Sequence, residues 1–165
     1  MSGRSESSPA RRTKRPLLVP PSEAVDQAWE DLYSCGLSQI PKIQAELMVN
    51  KTIAIPGDEA NYVVELNVFH LLSCLNKLRQ ALYPDYYNQS HISNGFDHNG
   101  HSITSIREAL TRSADVTPFV WKWDEEEQRN FPRSDTLHSC RNLEKIRQWS
   151  KDHQLDGGIN NDCAC

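Results

Sequence analysis

The chain writes one short arrangement of metal-binding side chains twice. In "VFHLLSCLNKLRQAL", His70, Ser73 and Cys74 stand at i, i+3 and i+4. In "FDHNGHSITSIREAL", His98, His101 and Ser102 stand at the same spacing. On an α-helix that spacing puts three side chains on one face. The residues downstream match too. Leu75, Leu78, Arg79, Ala81 and Leu82 of the first copy answer to Ile103, Ile106, Arg107, Ala109 and Leu110 of the second. Imidazole binds copper, zinc, iron or nickel, and His98 with His101 can hold one ion from a single helix face. Two such helices packed antiparallel would bring His70, His98 and His101 together, with Cys74 beside them. Three imidazoles and an open position suffice for a catalytic metal.

Each of these residues also has a plain structural reading. A single histidine is more often a surface or satisfied core residue than a ligand. A single cysteine on a helix is usually a small buried hydrophobe. Arg79 and Arg107 recur at equal depth. They either pair with Asp or Glu or anchor an anionic substrate, and pairing carries more weight. Ser73 lies near His70, but no third member of a nucleophilic triad is recognisable. No GxSxG, Walker, GxGxxG or HExxH signature occurs.

The elements that must position these residues are set by caps and periods. In "PSEAVDQAWEDLYSCG", Ser22 caps a helix with Val25, Trp29 and Leu32 inward, and Gly36 ends it. "SQIPKIQAELM" reads as a second short helix, with Ser38 as cap and Pro41 in its first turn. The runs Thr52–Ile55 and Tyr62–Leu66 flank a Pro-Gly-Asp turn and read as a hairpin. Asn67 is placed to cap the first repeat helix and Asp97 the second. "YPDYYNQSHISNG" reads as a loop, "VTPFVWKW" as a short edge segment, and "DEEEQRNFPRSD" as a charged loop. "SCRNLEKIRQWSKDH" is a last helix, with Leu143, Ile146 and Trp149 inward. The expected fold is mainly α: a small single domain of several helices with a short β-hairpin and edge strand. Residues 1–20 form a disordered basic, Ser- and Pro-rich tail, residues 21–153 the domain, and residues 154–165 a flexible C-terminal tail.

The 165 residues suit one core, and the net charge of -4 argues against a nucleic-acid partner. No apolar run is long enough to span a bilayer or to act as a secretory signal. Five cysteines without a CxxC do not make a disulfide framework. The closing Cys163-Ala164-Cys165 resembles a prenylation signal, with a frayed tail as the default. Sequons stand at Asn50 and Asn88 and matter only in a secretory compartment.

The two His-bearing blocks resemble those of the UstYa-like family of fungal secondary-metabolism proteins, which carries two H-x-x-H-C motifs. "VFHLLSCLNKLRQALYPDYY" is similar to the first block, and "DHNGHSITSIREALTRSADVTP" with "VWKW" to the second. "LHSCRNLEKIRQW" is similar to the closing block and "PPSEAVDQAWEDLY" to the opening one. The resemblance runs from about Pro20 to His153, with four blocks in order. It implies a tailoring enzyme acting on a peptide or polyketide intermediate by oxidative ring closure, hydroxylation, desaturation or halogenation, with copper at the paired motifs.

Carried over, the catalytic set is His70, His98, His101 and Cys74, with His70, His98 and His101 as metal ligands. Tyr83, Tyr86, Tyr87, Arg79, Arg107 and Trp121 would meet the substrate. The chain departs from the pattern where Ser73 replaces a histidine and Ser102 a cysteine. A further family cysteine near Thr111 or Arg112 is also missing, while Cys140 remains and could pair with Cys74. Family members usually begin with a membrane anchor. Its absence fits a cytoplasmic chain, or a lumenal one from which an anchor was removed. Two alternatives stand beside the oxidase. One is a metal-free cyclase, isomerase or Diels-Alderase-like pericyclase on a decayed redox site. The other is a non-catalytic partner of an intact relative, in a homo- or hetero-oligomer.

Overall fold

The computed structural model describes residues 20–87, 92–93, 96–118, 120–133 and 137–155. The expectations for the basic stretch up to residue 19, the sequon at Asn88 and the C-x-C end lie outside these residues. Helix α1 spans Glu23–Tyr33 and starts where the cap predicted, with Val25 N donating to Ser22 Oγ at 3.3 Å. Val25 and Trp29 are buried. The turn after it lies close against the next elements. A Cβ on Gly36 would come within 2.7 Å of Glu65 Oε1 and 3.3 Å of Phe69 Cβ.

The predicted second helix is mostly a strand. β1 spans Leu37–Pro41, and only Lys42–Glu46 turn helical as α2. The reason is Pro41. It biases Ile40 before it toward extended backbone, so a helix can begin only beyond it. Ser38 and Ile40 then point inward with period two. β2 (Ala54–Ile55) and β3 (Asp58–Glu65) form the expected hairpin, turning at Gly57 with φ +83°. β1 pairs antiparallel with the other side of β3, from Leu37↔Glu65 to Pro41↔Asn61, giving the order β1-β3-β2.

The first repeat helix is α3, Asn67–Ala81. Asn67 does not cap it. It is the first helical residue, and Leu66 holds the cap position without a side-chain bond. The stretch expected as loop contains a short α4 (Pro84–Tyr87) and β4 (Ile92–Ser93), which pairs with β5 (Phe96–Asp97) just beyond it. The second repeat helix is α5, His98–Ser113. Asp97 caps it as predicted, accepting from Gly100 N at 2.9 Å.

β6 (Val120–Asp124) pairs through five residues with β7 (Arg129–Arg133), which lies inside the stretch read as a charged loop. The acidic run is the turn itself. Asp124 Oδ1 accepts from the backbone N–H of Glu126 and Glu127 at 3.0 Å. The last helix, α6, spans Leu143–Asp152 and is capped by Asn142. Its Leu143 is exposed rather than inward, Ile146 and Trp149 are half-buried, and the buried residue is Ser150.

The core gathers Val25, Trp29, Cys35, Ile40, Ala45, Val63, Phe69, Cys74 and Leu155. Phe69 is fully buried in the first turn of α3, the helix that packs against α1. Two buried hydroxyls tie α6 to β1: Ser38 Oγ and Ser150 Oγ lie 2.7 Å apart, and Ser150 also donates to the Cys35 carbonyl. Beyond α6 the chain runs along the free edge of β1. Gln39 N donates to His153 O at 2.7 Å and Leu155 N to Leu37 O at 3.2 Å. Packed structure therefore runs past His153 to the buried Leu155. The fold is mainly α with short antiparallel strands, as the sequence predicts. No helix among the described residues is long and apolar enough to cross a membrane.

Candidate metal centre

α3 and α5 pack against each other, and their first turns meet at the histidines. His70 is the fourth residue of α3 and His101 the fourth of α5. Their Nε2 atoms stand 3.2 Å apart, with the rings edge to face at 72°. Cys74, one turn beyond His70, is fully buried and places its Sγ 3.6 Å from His70 Nε2. The ligand atoms of His70, Cys74 and His101 all lie within 4.8 Å of one another. Burial, and then the charge His101 can carry, push the His70 imidazole below its ordinary pKa. A neutral ring is the form that binds a metal.

The donor set fits an ion. Tetrahedral zinc with bonds of about 2.0–2.1 Å to nitrogen and about 2.3 Å to sulfur sets N···N near ~3.3 Å and N···S near ~3.6 Å. The two spacings here, 3.2 and 3.6 Å, are close to those edges. Two imidazoles and one thiolate suit copper or zinc. Without a metal, the same 3.2 Å contact is a hydrogen bond between one protonated and one unprotonated Nε2.

The trio differs from the expected one, because Cys74 stands where His98 was expected. His98 opens α5, one turn before His101, and packs edge-on against Phe96 with ring centroids 4.9 Å apart. An i to i+3 step rotates the side chain about 60° around the helix, enough to aim His101 at α3 and His98 at β5. His98 Nδ1 is buried and, among the described residues, has no hydrogen-bond partner. Ser73, in the position of the family's histidine, turns back and donates to the His70 carbonyl at 2.9 Å. Ser102, in the position of the family's cysteine, is fully buried, and its hydroxyl has no partner among the described residues. Cys74 and Cys140 do not form a disulfide with each other, and Cys140 is exposed.

The two repeat arginines have parted. Arg79, with a side chain only 11% exposed, donates to Asp26 Oδ1 at 2.6 Å, Tyr87 OH at 2.7 Å and Asn76 Oδ1 at 2.8 Å. Tyr87 also donates to Asp26, and Asn76 donates to Tyr33, so α1, α3 and α4 meet in one polar network. Burial first, and the bond to Asp26 second, raise the Tyr87 phenol above its ordinary pKa. Arg107, with a side chain 64% exposed, makes its one side-chain ion pair among the described residues with its neighbour Glu108, at 3.5 Å. Tyr83, Tyr86 and Trp121 are exposed.

Sequence reasoning missed Phe96, which packs on both second-copy histidines, and Ser105, whose Oγ stands 3.4 Å from His101 Nε2. The signal for Ser105 was present. It follows His101 by four residues, as Cys74 follows His70.

Residues 4–153 match the family described as mycotoxin biosynthesis protein UstYa, and the chain belongs to that family. Over 159 residues it is 29% identical to the UstYa family oxidase phomYc of Diaporthe leptostromiformis, covering 86% of this chain and 60% of that protein. Over 86 residues it is 36% identical to the UstYa family oxidase VicYc of Bipolaris victoriae, covering 52% of this chain and 86% of the relative. It is also 22% identical over 173 residues to the transacylase cctO of Talaromyces islandicus, covering 89% of this chain and 55% of that protein. The chain spans 60% of the length of phomYc and 42% of the related phomYc'. No solved structure matches it.

Proposed function

We propose that the chain is a tailoring enzyme of fungal natural-product biosynthesis. It would oxidise, or oxidatively cyclise, a peptide or polyketide intermediate at a copper centre held by His70, His101 and Cys74. One observation carries this reading: two imidazole nitrogens and a thiol converge across the α3–α5 contact at spacings an ion can bridge. Membership of a family with named oxidases supports the reaction class.

Bound copper would supply one-electron chemistry with oxygen. The protein's own residues do the rest. Burial lowers the pKa of His70, which favours the unprotonated imidazole that a metal binds. Cys74 closes the inner side of the site against water. His98, one turn from His101, is the acid–base group that moves the substrate proton. Tyr83, Tyr86, Trp121 and Arg107 present exposed aromatic and cationic groups to the substrate. Arg79 and Tyr87 brace the helices that carry the site.

Metal content after copper loading and desalting tests the proposal, with His101→Ala beside wild type. About one copper per chain, lost in the variant and accompanied by oxygen uptake in wild type, is expected. A folded chain that retains no copper would sink the oxidase reading.

Two observations favour a second reading. The direct His70–His101 contact is already an acid–base pair without any metal, and one relative is named a transacylase rather than an oxidase. A metal-free cyclase would hold its substrate in a reactive conformer and move a proton. Its turnover would survive chelation and exclusion of oxygen, whereas the oxidase would stop under either.

A further inference from the structure

The centre has a fourth corner that its motifs do not announce. His70 and Cys74 are four residues apart on α3, and His101 and Ser105 are four apart on α5. Each pair presents its second side chain to its own imidazole: Cys74 Sγ lies 3.6 Å from His70 Nε2, and Ser105 Oγ lies 3.4 Å from His101 Nε2. The two helices thus repeat one i to i+4 relationship, with sulfur beside one imidazole and oxygen beside the other. The 3.4 Å spacing is itself close to the ~3.3 Å edge expected between nitrogen and oxygen ligands of a tetrahedral ion. Burial differs in the same sense. Cys74 is fully buried, whereas Ser105 is half-buried.

Resting on the metal reading above, we infer that Ser105 keeps the fourth coordination position exchangeable. A neutral hydroxyl is a weak ligand, and a small exogenous oxygen donor or anion displaces it and takes a hydrogen bond from it. A cysteine there would make a Cys2His2 set, the closed shell of structural zinc sites. The charge count agrees. Two neutral imidazoles and one thiolate leave a divalent ion with one uncompensated positive charge, which favours an anionic fourth ligand. Two thiolates would leave none. Ser105 thus separates a site that can turn over from one that can only bind.

Cobalt(II) is the probe, titrated into the metal-free chain and followed by visible absorption, with azide then added as the small anion. Wild type is expected to show a one-thiolate charge-transfer band and a d–d spectrum that shifts with azide. Ser105→Cys should about double that band, bind cobalt(II) at least ~10-fold more tightly and stop responding to azide. Ser105→Ala should keep the wild-type band but bind azide several-fold more weakly, because the hydrogen-bond donor is gone. A folded Ser105→Cys chain with wild-type band and azide response would overturn the inference while leaving the metal centre standing. If Ser105→Cys does not fold, unchanged azide affinity in Ser105→Ala overturns it instead. Wild type that takes up no cobalt(II) or copper would remove both the inference and the reading beneath it.

Discussion

His70 and His101, thirty-one positions apart in the chain, touch through their Nε2 atoms at 3.2 Å where the first turns of α3 and α5 meet. Neither helix alone can offer this pair. A single helix presents ligands at i, i+3 or i+4 along one face, whereas here the two imidazoles face each other across a packed interface. Replacing His101 by Ala should therefore lower copper affinity by about 10–100-fold or more without unfolding α5, whose cap and core contacts lie elsewhere. Equilibrium dialysis against copper, with far-UV circular dichroism as the folding control, checks it. Cys74→Ser should weaken binding and also remove any charge-transfer band.

The depressed pKa of His70 makes a prediction for the metal-free chain. Below about pH 6.5 the unfolded chain binds a proton at this position that the folded chain resists. The stability His70 contributes is thus complete above about 6.5 and declines as pH falls toward the folded value. The thermal midpoint should drop more steeply between about pH 7 and 5 in wild type than in His70→Gln. Equal slopes would mean that the imidazole is not held neutral.

Arg79 and Arg107 occupy the same place in the repeat but should behave oppositely. Arg79→Ala leaves Asp26 without its guanidinium in a mostly buried network and should cost about 3–5 kcal/mol. Arg107→Ala removes an exposed contact and should change stability by less than about 0.5 kcal/mol. Urea unfolding of the two variants separates them. If Arg107 meets the substrate, its variant should instead show a raised KM.

Asp115 offers an independent pH marker away from the histidine pair. Its carboxyl is held down to about 2, first by the Thr117 hydroxyl, then by the Thr117 backbone N–H and by His138, whose Nδ1 lies 2.9 Å from Oδ2. The stability this carboxylate adds is present above its ordinary value near 3.8 and is lost as pH falls through about 2. In Thr117→Val the carboxyl should titrate closer to the ordinary range, read by carbon-13 NMR of the side-chain carboxyl.

Phe69 tests the core beneath the site. It is fully buried one residue before His70, so Phe69→Ala should cost about 3–5 kcal/mol. Because it sits in the first turn of α3, copper affinity should fall with it. Calorimetry and the copper titration read the two effects.

Much of the fold was legible where a local rule governs. Ser22, Asp97 and the repeat pattern announce α1, α3 and α5, because caps and periods act within a few residues. β1 was hidden because "SQIPKIQAEL" carries helical spacing on both sides of a proline; the bias of Pro41 reaches only Ile40, and pairing with β3 extends the residues before it. β7 was hidden because its charged residues lie on an exposed ribbon with no apolar face to betray it. At the site, the motif pointed to α3 and α5, and the structure brings His70, Cys74 and His101 of those helices together. It could not say whether His98 or Cys74 would face His101, since that depends on the crossing of α3 and α5. The partner of Arg79 lies 53 positions away, at Asp26, beyond the reach of any local rule.

The seal along β1 has a kinetic consequence. Ser38 meets Ser150 across 112 residues, and Gln39 and Leu37 bond to His153 and Leu155. Closing so long a loop comes late in folding, since its entropy must be offset by contacts already formed. Until then β1 presents an open edge, the usual template for pairing with another chain. A chain emerging from the ribosome therefore carries that edge uncovered while α3 and α5 are already able to dock. The contacts of residues 150–155 with Cys35 and β1 thus cover an edge that, left open, is a general template for pairing between chains.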